Sequence, residues 1–222
     1  MNKSETAWNK LHMKQRFRPR YPSESVVRFM NSCFPADLKK RNKTNILDIG
    51  CGGGRHVKLF KENEFNVYAG DYSKIGVEET KKFLDEYNLT AELKVFDMWN
   101  LPWGNEYFDG AISYGVYYYT DQEGMRSSID EMFRVLKKGG KGFINLRTKD
   151  DYRFNKGEKM EKNTFKLTVH DTNEFGMIMH FLSIDDVYEY FSLFQEIYVE
   201  KNELSSMSSN LCHSDWLITV VK

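Results

Sequence analysis

Three aspartates, Asp48, Asp71 and Asp97, each close a short apolar run. A carboxylate at the end of a buried strand can accept paired hydrogen bonds from the hydroxyl or amino groups of a polar ligand. The first lies in ILDIGCGGGRH (residues 46–56), an apolar strand running through a glycine-rich turn into a helix. Glycines there let the backbone bend tightly and let a ligand approach the amides at the helix N-terminus. The dinucleotide fingerprint Gly-x-Gly-x-x-Gly does not fit, because its third glycine falls on Arg55 when counted from Gly50 and on Val57 when counted from Gly52. A plain tight turn or another nucleotide site would use the same glycines. Asp71 follows NVYAG, 21 residues after Gly50, where nucleotide-binding folds place an acceptor for both ribose hydroxyls. Asp71 and Ser73 are also good caps for the helix that follows. Asp97 follows ELKVF and precedes Met98, and an Asp in that place is also a common turn former.

The pattern Asp48-x-Gly50-x-Gly52-x-Gly54 resembles the first motif of the class I S-adenosylmethionine-dependent methyltransferases. The likeness continues through FDGAISYGVYYYTD and RVLKKGGKGFINL, covering nearly every step from residue 44 to 147, and DWLITVVK fits the antiparallel last strand of that family. The resemblance implies S-adenosylmethionine as cofactor and S-adenosylhomocysteine as product. It implies that Asp48 organises the amino acid end of the cofactor, and that Gly50, Cys51, Gly52 and Gly54 pack beside its methionine and ribose portions. By the same likeness Asp71, with Tyr72, takes the ribose, Asp97 accepts the adenine amino group, and Met98 lies against the base. His56, in the first turn of the next helix, and Ser113, at the end of the fourth strand, complete the expected cofactor set.

Methyl transfer from a sulfonium is a direct displacement, so alignment in a dry site carries much of the catalysis. An acceptor that must lose a proton needs a base within hydrogen-bond reach. His180, in GMIMHFLS, is the first candidate, although a histidine beside Met and Phe also suits a packed core. Many small-molecule members of the family carry a His where this chain has Tyr119, a departure that leaves Tyr119 as the second candidate. Tyr114, Tyr117, Tyr118 and Tyr119 form an aromatic cluster where the acceptor is expected, with ordinary packing as the other use for some of them. Arg147, at the end of the fifth strand, and Arg20 and Tyr21, from the N-terminal segment, are candidates to hold a carboxylate or phosphate, surface ion pairs being the other use of the arginines.

These residues need a scaffold, and from residue 45 the chain alternates short apolar runs with polar helical stretches, the pattern of a parallel α/β sheet. Strands are expected at NILDI, NVYAG, ELKVF, DGAISY and KGFINL. Helices are expected at RHVKLFKEN, SKIGVEETKKFLDEYN and IDEMFRVLKK, the last followed by a turn at Gly139-Gly140. Upstream, SESVVRFMNSCF reads as a helix capped by Ser23, and Trp8, Leu11, Met13 and Phe17 suggest another amphipathic piece. SIDDVYEYFSLF reads as a late helix, followed by EIYVEK and DWLITVVK as an antiparallel pair. The expectation is a Rossmann-like sheet of seven mostly parallel strands with an antiparallel last strand and helices on both faces. It forms a single domain over residues 1–222: an N-terminal helical lid (1–43), a cofactor-binding core (44–147), a substrate-side insertion (148–180), and a closing helix with antiparallel strands (181–222).

Composition bounds the rest. Lys+Arg and Asp+Glu balance at 32 each, so nothing in the totals calls for nucleic acid or an anionic membrane. Residues 1–43 hold eleven basic and three acidic residues, which suits a solvated face or an anion-attracting lid. Three scattered cysteines show no spacing suited to zinc or redox chemistry, so no metal is expected and a reducing compartment is the simplest setting. The polar start MNKSETAWNK is unlike a secretory signal, and no apolar run approaches the roughly 18 residues of a membrane span. The expectation is a cytoplasmic monomer or homodimer that methylates a small molecule at oxygen or nitrogen, with nucleic acid and membrane outside its partners. Neither a Pro-Pro-aromatic motif nor a Pro-Cys nucleophile follows the fourth strand. The alternatives are a tRNA or protein methyltransferase using the basic N-terminus, and a non-catalytic nucleotide-binding regulatory module.

Overall fold

The computed structural model describes residues 3–13, 18–169, 174–206, 208 and 211–222, with side chains from residue 8 onward. In chain order its elements are α1 (Lys3–His12), α2 (Glu24–Cys33), α3 (Leu38–Arg41), β1 (Asn45–Ile49), α4 (Arg55–Glu62), β2 (Asn66–Asp71) and α5 (Lys74–Asp85). Then come β3 (Glu92–Val95), β4 (Phe108–Ser113), α6 (Gln122–Val135), β5 (Leu136–Arg147), β6 (Gly157–Glu161), β7 (Thr164–Leu167) and β8 (Ile178–His180). The chain closes with α7 (Ile184–Tyr190), β9 (Glu196–Ser206) and β10 (Leu211–Val221).

Seven strands form one sheet in the order β3-β2-β1-β4-β5-β10-β9. All run parallel except β10, which is antiparallel to both β5 and β9. This is the Rossmann-like sheet of seven mostly parallel strands, one of them antiparallel, that was expected. β1 is apolar on both faces because helices cover both: Ile46 joins Val26, Phe29, Val57 and Phe60 on one side, while Leu47 and Ile49 join Met125, Ile129 and Tyr117 on the other. The strand order reverses between β1 and β4, and there the loops after the strands part to leave a crevice.

The sequence reading differs from the structure in several places. Ser23 occupies the N-cap position of α2, but its side chain makes no capping bond, and its Oγ pairs with Ser25 Oγ at 2.9 Å. α6 starts at Gln122, capped by Asp121, and ends at Val135, so Leu136–Lys138 belong to β5, where Leu136 pairs with Phe108. The polar stretch after β5 holds a second sheet, β6-β7-β8, whose short strands carry no clean alternation of apolar and polar residues. Its inner face supplies Phe165, Leu167, Met179 and Phe181 to the core around α6 and α7. Among the described residues no helix is long and apolar enough to cross a membrane. Phe17 of the expected amphipathic piece, together with His170, lies outside the described residues.

Candidate active site

The glycine turn after β1 is built for close backbone approach. Gly50 has φ +79°, and a Cβ there would lie 2.3 Å from Val116 Cγ2; Gly54, at φ +83°, would press on Thr80. The amides of Gly50 and Cys51 both donate to the Gly70 carbonyl, at 2.8 and 2.9 Å, which ties the turn to the end of β2. Asp71 links the next step, accepting from Gly52 N at 2.9 Å and Ser73 N at 2.8 Å. A carboxylate has about four acceptor sites, so two remain for ligand hydroxyls. Ser73, not Asp71, caps α5 through Gly76 N.

Asp48 is fully buried and its Oδ2 has no hydrogen-bond partner. Burial pushes this carboxyl up to about 7, against the opposing pull of the Arg55 cation. Asp97 is half-buried at the mouth of the crevice, where burial raises its carboxyl while the Met98 and Trp99 amides, which it accepts, lower it. It therefore forms a turn and faces the crevice at once. His56 accepts from Ser23 N through Nε2 at 3.2 Å, and burial drives its imidazole down to about 3. The ring is neutral near pH 7, and an accepting Nε2 leaves the proton on Nδ1.

These groups surround a cavity of about 350 Å³. Of the residues expected there, Gly50, Cys51, Gly52, His56, Asp71, Tyr72, Asp97, Met98, Tyr114 and Tyr119 are on its wall. Asp48 and Ser113 are buried close by but do not line it, Ser113 Oγ also lacking a partner, and Gly54 serves as the N-cap of α4. Tyr119 is half-buried, donates to Glu174 Oε1 at 2.6 Å and packs edge-on against Trp8 at 4.8 Å. Burial first, then the neighbouring Tyr118 and Glu174, hold its phenol well above the usual tyrosine value, so it remains protonated.

Five expectations place residues where the structure does not. His180 is off the cavity wall, with Nδ1 2.7 Å from Thr164 Oγ1 and Nε2 3.3 Å from the Tyr190 hydroxyl. Burial pushes it down to about 4, and it ties β8 into the core. Tyr117 is fully buried in the core around α6, since successive residues after β4 point in different directions. Arg147 turns from the cavity toward Asp215 and Asp151, at 3.1 and 3.3 Å, and lies over the Tyr118 ring. Arg20 pairs with Glu86, the C-cap of α5, and covers Phe83, so it forms no clamp with Arg147. Tyr21 is exposed, 83% of its surface being accessible, and its carbonyl accepts from Arg55.

The structure adds residues to the site and brings to it Trp8 and Leu11, which the sequence reading places in the N-terminal lid. Trp8, Leu11 and His12 of α1, with Pro19, roof the cavity, and Arg55, Phe96, Trp99 and Val116 complete its wall. α1 is held by Asn9, which accepts from Ser73 Oγ at 2.6 Å, and His12 Nε2 lies 4.0 Å from Asp71 Oδ2. The apolar spacing of Trp8 and Leu11 was the signal available for the roof. The partners of that face are remote in sequence.

Residues 46–140 match the family model described as a methyltransferase domain. Human probable tRNA methyltransferase 9B is 38% identical over 101 residues, 45% of this chain and 20% of that protein. The chain spans about a fifth of the length of the curated relatives it matches. A SAM-dependent methyltransferase from Methanosarcina mazei superposes with a TM-score of 0.71 at 19% identity, covering 87% of this chain and 96% of that one. The 1,6-didemethyltoxoflavin-N1-methyltransferase of Burkholderia thailandensis, solved with its substrate and S-adenosylhomocysteine, gives 0.62 at 14% identity, covering 98% and 79%.

Proposed function

We propose that the chain, whose residues 46–140 match a methyltransferase-domain model, is a class I S-adenosylmethionine-dependent methyltransferase that methylates a small molecule at oxygen or nitrogen within the roofed cavity. The observation that carries this reading is a shared cavity: the aromatic side chains Trp8, Phe96, Trp99, Tyr114, Tyr118 and Tyr119 line it together with the glycine turn, Asp71 and Asp97. Charge supports it too. Arg18, Arg20 and Arg28 of the basic segment are paired with Glu79, Glu86 and Glu200, which reduces the field available to a polyanion.

In this reading Asp48 and the turn Gly50, Cys51, Gly52 and Gly54 hold the methionine end of the cofactor, with Ser113 beside them. Asp71 and Tyr72 take the ribose, and Asp97 and Met98 the adenine. The orphaned Asp48 oxygen and the close contact at Gly50 suit a ligand lying along the turn. The cofactor supplies an electrophilic methyl group, and the chain supplies alignment and exclusion of water. Tyr114 and Tyr119 are the proposed acceptor contacts, and His56 presents an N–H donor. Tyr119 serves as a positioning donor and wall in place of a base, because its phenol is held protonated. Neither His180 nor Arg147 is assigned a direct role, both being engaged elsewhere.

A second reading, methylation of tRNA, draws support from the names of the curated relatives, whose matches span about half of this chain. One experiment separates the two. The protein is incubated with methyl-labelled S-adenosylmethionine and either a fractionated metabolite extract or total tRNA. Label in a low-mass product supports the small-molecule reading, whereas label in tRNA with salt-sensitive retention of the RNA replaces it.

A further inference from the structure

Behind Tyr118 and Tyr119, two side chains of the cavity wall, runs a chain of five charged groups. The Tyr119 hydroxyl donates to Glu174 Oε1 at 2.6 Å, and Arg153 Nε donates to Glu174 Oε2 at 2.6 Å. Arg153 reaches on to Asp151, with Nη1 2.9 and 3.1 Å from its two oxygens, and Asp151 meets Arg147 at 3.3 Å. Arg147 in turn pairs with Asp215 at 3.1 Å and lies 5.0 Å from the centre of the Tyr118 ring. None of these charged side chains is more than 13% exposed, so salt and water screen them poorly. Among the described residues of this chain two guanidiniums face three carboxylates, which leaves a surplus negative charge beside the cavity. His213, 3.5 Å from Arg153, does not restore the balance, because burial and then the Arg153 cation hold its imidazole below the ordinary histidine value.

The wall itself leans the same way. Asp71 and Asp97 outnumber the Arg55 guanidinium there, and burial keeps His12 and His56 neutral near pH 7. Three rings also adjoin at this end: Tyr119 meets Trp8 at 4.8 Å and Tyr118 at 4.5 Å. Ring faces attract cations, and a phenol that donates to a carboxylate gains electron density and attracts them more.

Methyl transfer defines the charge that such a wall has to hold. The acceptor's lone pair bonds to the methyl carbon, and the carbon–sulfur bond breaks with its electron pair going to sulfur. With an amine the positive charge passes from sulfur to nitrogen, no proton has to leave in that step, and the product is an ammonium. With a carboxylate the two charges cancel, and with a neutral hydroxyl a proton must be lost. Surplus negative charge beside aromatic faces favours the first case and opposes entry of a carboxylate.

We propose that the acceptor is an amine, and that Glu174, through its hold on Tyr119 and with the ion network behind it, selects for the positive charge that methylation leaves on nitrogen. The inference rests on the small-molecule methyltransferase reading and narrows it from oxygen or nitrogen to nitrogen.

Wild type saturated with S-adenosylhomocysteine imitates the product state. It is titrated calorimetrically at pH 7 and constant ionic strength with benzylamine, benzyl alcohol and benzoate, probes of similar shape that are cationic, neutral and anionic. Benzylamine should bind about tenfold or more tightly than benzyl alcohol, the weight of a cation–π contact and one nearby surplus charge, and benzoate should bind most weakly. Glu174→Gln keeps the size and an acceptor for Tyr119 but drops the charge. It should lose about three- to thirtyfold in benzylamine affinity, the range for one partly screened charge, and bind benzyl alcohol as wild type does. Glu174→Asp should keep most of the preference. A general loss of packing would weaken both probes together, so the ratio of the two affinities is the readout. The proposal is overturned if wild type binds benzylamine no better than benzyl alcohol, absence of binding included, a result independent of how the variants fold. It is also overturned if Glu174→Gln folds and keeps the wild-type ratio, or if mass spectrometry of the labelled low-mass product places the methyl group on oxygen. A methyl group on an amine nitrogen supports it. Label in tRNA, or failure to bind S-adenosylhomocysteine, would strike the reading beneath it instead, and the same titrations of the free protein would then decide whether Glu174 selects an amine ligand.

Discussion

Replacing Asp48 by Asn should stabilise the free protein at neutral pH while weakening its hold on the cofactor. Asp48 is fully buried, and its carboxyl is raised from 3.8 to about 7, chiefly by burial. Between those values the folded chain keeps a proton that the unfolded chain releases. Its stabilising contribution is therefore complete below the unfolded value, shrinks as pH rises through about 7, and levels off above. With each pKa unit worth about 1.4 kcal/mol, the loss is on the order of 4 kcal/mol. Asn is neutral throughout, so the stability difference between variant and wild type should be near zero at pH 4 and rise toward that limit at pH 8. His56 and His180 work with the opposite sign, because imidazoles held at about 3 and about 4 lose stability as pH falls from 6.5. Both proteins contain them, so they cancel in the difference. Urea denaturation from pH 4 to 8 measures it. Saturating S-adenosylhomocysteine should narrow or reverse the gap, since the cofactor's ammonium restores a partner to Asp48 in the wild type alone. A difference that does not change with pH, or a variant less stable than wild type at pH 8, would refute the assignment of an uncompensated charge to Asp48.

Asp71→Asn should weaken both folding and cofactor binding, because the carboxylate holds the Gly52 and Ser73 amides; losses of about 1.5 to 3 kcal/mol are expected in each, read by denaturation and calorimetry. The expected signature is thus a joint loss, and an effect on binding alone would count against the tether. His180→Leu should cost about 1 to 3 kcal/mol of stability by stranding the buried Thr164 and Tyr190 hydroxyls, while the more conservative His180→Gln leaves the pH dependence of turnover unchanged. A histidine limb that disappears in His180→Gln would restore it as a base. Tyr119→Phe removes the hydrogen bond to Glu174, and it should raise the acceptor KM more than it changes cofactor affinity, a split that steady-state kinetics and calorimetry resolve. Limited proteolysis should find α1 cut more slowly when S-adenosylhomocysteine is bound, because Trp8, Leu11 and His12 roof the cavity.

The parallel sheet, the glycine turn and the carboxylates near the ends of its strands were legible in the sequence because they follow from local patterns. Ile46, Leu47 and Ile49 must be buried wherever β1 lies, and helices on both faces are the arrangement that covers them. Gly50, Gly52 and Gly54 all have positive φ, the backbone freedom that glycine provides, and Asp48, Asp71 and Asp97 lie at or near the ends of strands that a parallel sheet brings together. The acceptor half was not legible, because it depends on which side chains meet across long separations. Whether a histidine is a base or a packed core group depends on neighbours such as Thr164 and Tyr190, and the second sheet holds His180 between them. Arg147 looked free at its strand end until β10 brought Asp215 beside it, 68 residues away. Tyr117 and Tyr119 are two residues apart and identical in type, yet the turn after β4 sends one into the core and the other to the cavity wall. The sequence by itself determined the sheet, the glycine turn and the three carboxylates, since each follows from periodicity and backbone sterics. Only the tertiary structure decided which charges and hydroxyls found partners and which were left facing the cavity, because desolvation and pairing depend on every neighbour at once.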